Sequence, residues 1–528
     1  MGQIIGTFEK ISSRVLGATE ENPKTLLVLS VLLALAVVNA LFWLIVGLNQ
    51  PIADLHQFRQ TQTAISAYWI WRGGPWLAYE TPVLGYPWSI PFEFPIYQYL
   101  MAALRVVGIS LEAGGRLISF AFYLGLLWPL RVLLKNLGLG RTDYLILSIL
   151  LMTSPLYVYW SRTVMIESCA LFFGFAWFAF LIQFLRTSSW RDAVLATGFG
   201  ILAMLTKVTT FPGFGIIGVV AAVAAAWQMY RHGLSKQDVG KLLAVACIGL
   251  APLACELAWA TYSDHVKEQN ILGLSLTSAA LSGWNFGTLE QRLSSDFWQA
   301  TIMKRIFPDV LGLGWIVGLI VFAGVVRSTR YAVPLGLAVL GFLTPMLLFT
   351  NLHMVHNYYQ YANGVFLLAA VGFGLAAIAH SGWRVLCVVL LVLVVIGEIV
   401  YFNAGFARAI QADASKNRQI QIALLAKSMT QPDQALLIFG DDWSPAIAYE
   451  AERKAIMVPN WAEPQTVRRI LNNPEDYLGG VKLGAAIYCA GPERQYLANL
   501  QDLQAFFSIR TALGDAGGCR LFSAAPLS

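Results

Sequence analysis

Charged residues are scarce in this chain. Asp, Glu, Lys and Arg make up 12% of its 528 residues, whereas soluble domains carry about 25%. Hydrophobic residues make up 57%, and the mean hydropathy is +0.60. This composition excludes an ordinary soluble protein and predicts a polytopic α-helical membrane protein.

Cysteine and the motifs of cofactor binding are also scarce. The chain has six cysteines, and no C-x-x-C pair with metal-ligand spacing occurs in it. No P-loop, dinucleotide-binding glycine fingerprint or G-x-S-x-G elbow occurs in a sequence context that would support its function. We therefore expect no cofactor and no metal dependence, with a divalent cation left open.

The basic residues carry a topology signal. The net charge is +6, but the Lys and Arg residues are scattered between apolar segments, which argues against a nucleic-acid partner. Fourteen of the 36 Lys and Arg residues lie in the N-terminal segment and in short connections on one side of the predicted spans, and the positive-inside rule makes that side cytoplasmic. They are Lys10, Arg14, Lys24, Arg131, Lys135, Arg141, Arg186, Arg191, Arg231, Lys236, Lys241, Arg327, Arg330 and Arg384.

Long apolar stretches dominate the first four hundred residues. A helix needs about 20 apolar residues to cross a bilayer, and about eleven stretches qualify. An odd number places the chain ends on opposite sides, so we predict a cytoplasmic segment 1–24, a membrane domain 25–402 with external loops at about 49–113 and 262–307, and an external soluble domain 403–528. The spans are 25–48, 114–135, 143–161, 168–186, 191–208, 210–230, 240–261, 308–326, 331–351, 360–379 and 383–402.

The tail after about residue 403 has the composition of a soluble α/β domain. Short apolar runs that resemble buried strands alternate there with helical patterns. The predicted strands are Ala435–Phe439, Ala455–Val458 and Ala485–Tyr488, and the helical patterns lie near 443–451, 463–472 and 491–504.

Two features of the tail have alternative interpretations. Gly440-Asp441-Asp442 follows the first predicted strand, and a strand-to-helix turn with a helix cap is favoured over an acidic functional motif. Cys489 and Cys519 adjoin apolar segments that could be neighbouring strands, so a disulfide is predicted in an oxidising compartment. Two unpaired buried thiols are the alternative.

A polar run follows the first span. After the apolar stretch Leu26–Leu48 the chain reads Asp54-Leu55-His56-Gln57-Phe58-Arg59-Gln60-Thr61-Gln62-Thr63-Ala64. A span that served only as an anchor needs no such segment, and polar groups at a membrane face usually handle a polar substrate. Asp54 and Gln57 also match a helix capping box. The two interpretations are compatible, since a capped helix is a rigid mount for a carboxylate.

The polar run, in this apolar multi-span context, resembles the first external loop of the GT-C superfamily of membrane glycosyltransferases. The related families are the protein O-mannosyltransferases and the lipid A aminoarabinose transferases. The resemblance implies a GT-C fold with interfacial helices in the first loop, and it implies that Asp54 is the catalytic base. A second acidic residue often follows in the family, whereas this chain has Leu55. Glu167, in the loop 161–168 before the fourth span, matches a further catalytic acid.

The resemblance also implies substrate-binding residues. A lipid-phosphate leaving group needs positive charge nearby, and contact with phospholipid headgroups is the alternative role for each cation. Glu93 suits an acceptor contact, or equally an acid in the first turn of an interfacial helix. His353 and His356 suit hydrogen bonding to phosphate or sugar better than a shared metal, since no third ligand is near in sequence. The predicted substrate-binding residues are His56, Arg59, Glu93, Arg162, Lys207, Arg305, His353, His356, Tyr358 and Tyr359.

These features favour an inverting glycosyltransferase of the bacterial inner membrane, active on the periplasmic side. The expected partners are the bilayer, a polyprenyl-phosphate sugar donor, and a lipid-linked glycan, lipopolysaccharide or cell-surface polymer as acceptor. An oligosaccharide ligase that uses a polyprenyl diphosphate donor is one alternative. A flippase or transporter for a lipid-linked sugar is another, although the candidate residues crowd one side and no pseudo-repeat is evident. A structural membrane subunit leaves the first loop unexplained.

The predicted topology can be tested with reporter fusions. Fusions at Arg141 and Lys236 should report a cytoplasmic location, and a fusion at Ser528 should report a periplasmic one, because the basic loops lie on one side. A cytoplasmic signal from the Ser528 fusion would refute the odd number of spans.

Overall fold

The structure is a computed structural model that describes residues 22–326, 331–489 and 496–527. The predictions for residues 1–21, for Arg327 and Arg330, and for the start of the 491–504 helix lie outside these residues. The chain forms two compact units. The membrane unit takes in the described parts of Met1–Leu48, Arg116–Ala258 and Ser282–Ile410, and the loop–tail unit takes in those of Asn49–Gly115, Trp259–Leu281 and Gln411–Ser528.

The polytopic helical class is confirmed. Among the described residues, eight helical segments are long and apolar enough to cross a membrane, and two shorter apolar helices are Ala332–Leu348 and Gly364–His380. The count of about eleven spans stays a prediction. The eight segments are Pro23–Gly47, Leu111–Asn136, Glu167–Thr187, Trp190–Thr210, Pro212–His232, Lys236–Lys267, Asp296–Val325 and Arg384–Ala404.

Several of these segments are interrupted. Leu111–Asn136 consists of Leu111–Gly125 and Leu127–Asn136, and Trp190–Thr210 ends in a 3₁₀ turn, Val208–Thr210. The segment Asp296–Val325 opens with a π-helix, Asp296–Ile306, before more regular turns. The remaining short helices of the membrane unit are Ser282–Phe286, Leu289–Leu293, Phe307–Leu311, Gly312–Gly314, Trp315–Val325, Thr350–Val355, Asn357–Ala362 and Phe406–Ile410.

The predicted span 143–161 is two helices in the structure, Arg141–Thr153 and Pro155–Trp160. Ser154 between them has an extended backbone, with φ −54° and ψ 124°. A proline disfavours the helical conformation of the residue before it and lacks the N–H that a continuous helix needs. Pro155 therefore ends one helix and begins the next.

A glycine turn lets two elements of the membrane unit meet closely. Gly312 has a φ of +57°, and a Cβ there would lie 2.4 Å from the Cα of Glu398. Only glycine tolerates this combination of backbone conformation and contact. The turn Gly312–Gly314 thus packs directly on the backbone of the helix Arg384–Ala404.

The tail contains the predicted α/β fold. Its strands are β1 (Ala435–Phe439), β2 (Ala455–Met457), β3 (Leu483–Cys489), β4 (Arg510–Ala516) and β5 (Cys519–Pro526), in the order β2-β1-β3-β5-β4. β1 is parallel to β2 and β3, whereas β5 is antiparallel to β3 and β4. The main helices are Arg418–Met429, Ala446–Ala451, Pro464–Asn472 and Leu500–Ser508, with short turns at Ala414–Lys416, Pro474–Tyr477 and Leu497–Asn499. A further short turn of the loop–tail unit, Gly273–Leu276, lies in the segment Trp259–Leu281.

The turn after β1 is present, but the cap predicted for it is wrong. The following helix, Ala446–Ala451, has Pro445 at its N-cap and no side-chain capping bond. Asp441 instead accepts hydrogen bonds from Gln419 and Arg418. Asp441 therefore ties the turn to the preceding helix, Arg418–Met429.

The first loop is folded together with the tail sheet. It contains the helices Gln57–Trp71 and Ile96–Val106, which confirms the helical structure predicted there. Its segment 82–85 lies along the edge of β2, where Ala455 N donates to Pro82 O at 2.9 Å and Met457 N donates to Val83 O at 2.7 Å. The segment 82–85 of the first loop thus adds a short extended stretch to the β2 edge of the sheet.

The disulfide predicted in the tail is confirmed. The β3–β5 register places Cys489 opposite Cys519, and the two residues form a disulfide. The free cysteines of the described chain are Cys169, Cys247, Cys255 and Cys387.

Alkylation of denatured, unreduced protein should therefore modify four cysteines, and reduction should expose two more. Replacing Cys489 and Cys519 by Ala should destabilise the protein by about 2–4 kcal/mol, because the cross-link restricts the unfolded chain. Peptide mass spectrometry after alkylation measures the first result, and denaturant unfolding in detergent measures the second. Modification of all six cysteines without reduction would contradict the pairing.

Candidate active site

A buried ion pair joins two neighbouring helices of the membrane unit. Glu167 is the first residue of Glu167–Thr187, and Lys207 is the last of Trp190–Lys207. A short turn connects these helices, so the start of one lies beside the end of the other. The Lys207 ammonium binds Oε1 of Glu167, and the side chains are only 5% and 3% exposed. Oε2 of Glu167 is buried without a hydrogen-bond partner in the protein.

Aromatic rings cover the same ammonium group. Nζ of Lys207 lies 4.2 Å from the ring centre of Tyr359 and 5.0 Å from that of Tyr358. Cation–π attraction therefore adds to the ion pair. The adjacent Tyr361 is held by Ser168, whose hydroxyl lies 2.9 Å from its own. The 3₁₀ turn Asn357–Ala362 is thus tied to the helix that carries Glu167.

His353 lies beside this cluster in the short helix Thr350–Val355. Its side chain is fully buried, and neither ring nitrogen has a hydrogen-bond partner in the protein. Burial, together with the charges of Arg305 and Lys207, lowers the pKa of His353 to about 3. The imidazole is therefore neutral at neutral pH. In this form one ring nitrogen is available to donate a hydrogen bond to a ligand and the other is available to accept one.

Arg305 and His356 complete the surroundings of His353. The Arg305 guanidinium donates to the backbone carbonyls of His353 and Met354, the latter at 2.8 Å. Gln360 donates to the same His353 carbonyl at 2.9 Å. The His356 ring stacks on Tyr358 at 5.3 Å between centres. The cluster therefore combines two cations, two imidazoles and two phenols, all of which suit a phosphate or sugar ligand.

Arg162 packs against the end of the first span. Its guanidinium is buried and lies 5.6 Å from the Tyr159 ring centre. A Cβ on Gly47 would stand 2.7 Å from Nη2 of Arg162. The absence of a side chain at Gly47 thus makes room for the Arg162 guanidinium. Arg162 therefore packs against the first span, whether or not it also binds substrate.

The loop–tail unit holds Asp54 in a defined position. Nε2 of Gln60 donates to Oδ1 of Asp54 at 2.6 Å and to the carbonyl of Leu55 at 2.9 Å. The helix Gln57–Trp71 has His56 at its N-cap, in a left-handed conformation, without a side-chain capping bond. The capping interpretation of Asp54 is therefore wrong, because His56 occupies the N-cap position of this helix.

Arg59 and Glu93 form an ion pair in the same unit. Their side chains are 15% and 24% exposed, and Arg59 also donates to Gln62. The hydroxyl of Tyr79 fixes the turn that carries Glu93, since it donates to the Glu93 carbonyl at 2.9 Å and accepts from Phe92 N at 2.7 Å. Glu93 precedes the helix Ile96–Val106, so its interpretation as an acid in the first helical turn is wrong.

The predicted site residues thus form connected groups within each unit. Glu167, Lys207, Tyr358, Tyr359, His353, His356 and Arg305 share contacts in the membrane unit. Gln360 and Tyr361 escaped prediction, although a glutamine in apolar surroundings is a usable signal, and the sequence indicates Gln60 only as a member of the polar run. The described residues contain no group of three or more His, Cys, Asp or Glu side chains that could hold a metal.

The charge pair offers a stability test. Lys207→Met should cost about 3–5 kcal/mol of unfolding free energy, because it leaves the Glu167 carboxylate buried without its counter-charge. Adding Glu167→Gln should recover much of that loss. The control is Lys427→Met, which breaks an ion pair with Glu452 whose side chains are 39% and 45% exposed and should cost about 0–1 kcal/mol. Denaturant unfolding in detergent compares the variants, and equal losses for the single and double variants would show that the charges do not compensate each other.

Comparisons with known proteins identify the fold. No family model and no curated protein matches this chain. The crystal structure of ArnT from Cupriavidus metallidurans bound to undecaprenyl phosphate is similar, with a TM-score of 0.61 and 13% identity over 93% of this chain and 98% of that one. The mycobacterial arabinofuranosyltransferase AftD has a TM-score of 0.54 at 13% identity, over 94% of this chain and 40% of AftD. The chain is a multi-pass membrane protein with the GT-C-type glycosyltransferase fold.

Proposed function

We propose that this protein is an inverting glycosyltransferase of the bacterial inner membrane. It moves a sugar from a polyprenyl-phosphate donor to a periplasmic lipid-linked glycan, lipopolysaccharide or cell-surface polymer. The observation that carries the proposal is the Asp54 carboxylate, which Gln60 holds in the first loop of a GT-C-type fold. The solved ArnT structure, which contains undecaprenyl phosphate, supports a donor of this class.

Asp54 acts as the general base of the transfer. Its carboxylate takes the proton of the acceptor hydroxyl while that oxygen attacks the anomeric carbon of the donor sugar. The bond between the anomeric carbon and the phosphate oxygen breaks at the same time, and the lipid phosphate leaves with the bonding electrons. A single displacement of this kind inverts the anomeric configuration.

Arg59 offsets the negative charge that develops on the lipid phosphate, and Lys207 is the alternative residue for this role. A fixed cation stabilises such charge more in the transition state than in the ground state. Arg59 is held by Glu93 and Gln62, and Lys207 by Glu167. Both cations are therefore oriented before a substrate arrives.

The other candidate residues bind substrate. His56 and Glu93, in the first loop, suit the hydroxyl groups of an acceptor. His353, His356, Tyr358 and Tyr359 suit phosphate or sugar oxygens, and Arg162 and Arg305 supply further positive charge. Glu167 orients Lys207, and its second oxygen accepts from the donor or the acceptor.

The variant Asp54→Asn tests the base. Asn retains an oxygen that accepts the Gln60 hydrogen bond but removes the basic carboxylate, so turnover should fall by about 10²- to 10⁴-fold. Donor binding should change little. The measurement is product formation by purified protein supplied with a panel of polyprenyl-phosphate sugars and membrane glycolipids.

Asp264→Asn is the matched control. Asp264 is a half-buried carboxylate of the same unit that accepts from Ser278 N at 3.0 Å and pairs with Lys267 at 2.9 Å, and no role in transfer is proposed for it. Its variant should turn over at close to the wild-type rate. A fully active Asp54→Asn protein would reject Asp54 as the base and redirect the search to Glu167 and Glu93. Transfer from polyprenyl diphosphate sugars alone would identify an oligosaccharide ligase instead.

A further inference from the structure

Trp443, a tryptophan of the tail, contacts the first loop next to both members of the Arg59–Glu93 ion pair. The Trp443 ring stacks on Phe92, with centres 5.9 Å apart and planes at 30°. It meets Phe58 edge-on, with centres 4.8 Å apart and planes at 84°. Phe58 directly precedes Arg59, and Phe92 directly precedes Glu93. One ring therefore contacts the chain neighbours of both ion-pair members within the loop–tail unit.

The turn that carries Trp443 is anchored to the helix Arg418–Met429 and to the segment after β2. Asp441 accepts from Gln419 at 2.8 Å and from Arg418 at 3.3 Å, and burial raises the pKa of Asp441 to about 6. The carboxylate of Asp442 accepts from Asn460 N at 3.2 Å. Trp443 therefore has a fixed mount at the end of β1.

A second tether reaches the start of the helix that carries Arg59. Nδ2 of Asn417 donates to Oε1 of Gln57, the first residue of Gln57–Trp71, at 2.9 Å. The Asn417 side chain also caps the helix Arg418–Met429, because it accepts from Gln419 N and Ile420 N. The tail thus holds the side chain of Gln57, two residues before Arg59, as well as the ring of Phe58.

The ion pair alone is a weak restraint. Both of its side chains are partly exposed, and an exposed pair of long side chains loses conformational entropy when it holds one geometry. The packed neighbours of the two backbone segments therefore add to the restraint on their separation. Phe58 and Phe92 are those neighbours, and Trp443 is the ring that joins them.

We propose that Trp443 is a positioning residue that fixes the Arg59 guanidinium against Glu93. The tail sheet, through this ring, sets the direction in which Arg59 presents its charge. The consequence for catalysis rests on the proposed function, in which Arg59 faces the lipid phosphate. The positioning itself is a property of the folded protein and is measurable without a substrate.

Hydrogen exchange on the full-length protein in detergent tests the positioning. In Trp443→Ala, peptides that cover 57–62 and 92–94 should exchange at least about fivefold faster than in wild type, since the packing that closes these segments is lost. Trp443→Phe retains a ring on Phe92 and should restore most of the protection. The control Trp461→Ala removes an exposed tryptophan of the same domain and should change neither peptide. Wild-type exchange at both segments in Trp443→Ala would overturn the inference.

Kinetics test whether the positioning serves transfer. Trp443→Ala should lower kcat about 10- to 100-fold with a much smaller change in KM, because a misplacement of about 1 Å carries such a cost. In a Glu93→Gln background, where the pair is already broken, the same change should cost less than about twofold, since coupled residues are non-additive. Fully additive losses would indicate a merely structural role and overturn the link to transfer.

The two proposals fail in different ways. A wild-type protein that transfers no sugar, combined with faster exchange in Trp443→Ala, would refute the proposed function and leave the positioning established. Normal transfer by wild type, with unchanged kcat and exchange in Trp443→Ala, would refute the positioning and leave the function intact. If Trp443→Ala fails to fold, Trp443→Leu, which retains apolar volume without an aromatic ring, replaces it in the exchange measurement and in the cycle with Glu93→Gln.

Discussion

The backbone hydrogen bonds between the segment 82–85 and β2 hold the loop–tail unit together. Three main-chain bonds join them, from Ala455 N, Met457 N and Gly85 N, and Lys454 adds an ion pair with Glu80 at 2.8 Å. A sheet edge left open exposes unpaired donors and acceptors. The first loop satisfies these groups of β2 and receives a rigid support in return. The placement of Asp54, Arg59 and Glu93 depends on this support.

The membrane unit holds two cations, Lys207 and Arg305, in largely apolar surroundings. Lys207 has both a counter-ion and two aromatic rings around it, and each of these offsets part of the cost of removing it from water. The two terminal nitrogens of the Arg305 guanidinium donate to backbone carbonyls instead, and its Nε is buried without a hydrogen-bond partner in the protein. The positive charges of Lys207 and Arg305 are thus each held by several contacts within the protein. These contacts keep both side chains oriented without a bound ligand.

The sequence pattern predicted helices and strands well where a run of apolar residues is enough to define them. β1 was predicted with its observed bounds because Gln434 and Gly440 flank five consecutive apolar residues, and all five are buried. The break at Pro155 escaped prediction because an apolar count takes no account of the missing N–H. The Asp54 cap failed because the spacing of Asp54 and Gln57 matches a capping box, whereas the left-handed conformation of His56 is not encoded by any residue pattern.

The site was predicted as a set of residues but not as a set of contacts. The resemblance pointed to Asp54, Glu167 and Lys207 one by one, yet the pairing of Lys207 with Glu167 joins positions 40 residues apart. The contact of Trp443 with Phe58 and Phe92 joins the tail to the first loop. Such pairings arise from tertiary packing, and a single sequence carries no signal for them.

The long separation between the first loop and its sheet also bears on biogenesis. Glu80 and Lys454 are 374 residues apart, so a ribosome completes nearly all the intervening helices before β2 exists. Contacts between such distant segments form late, because closing the connecting chain carries an entropic cost. The nascent protein therefore inserts its helices with the first loop still unsupported. Chains that stop short of the tail leave that loop without the sheet edge to which it hydrogen-bonds.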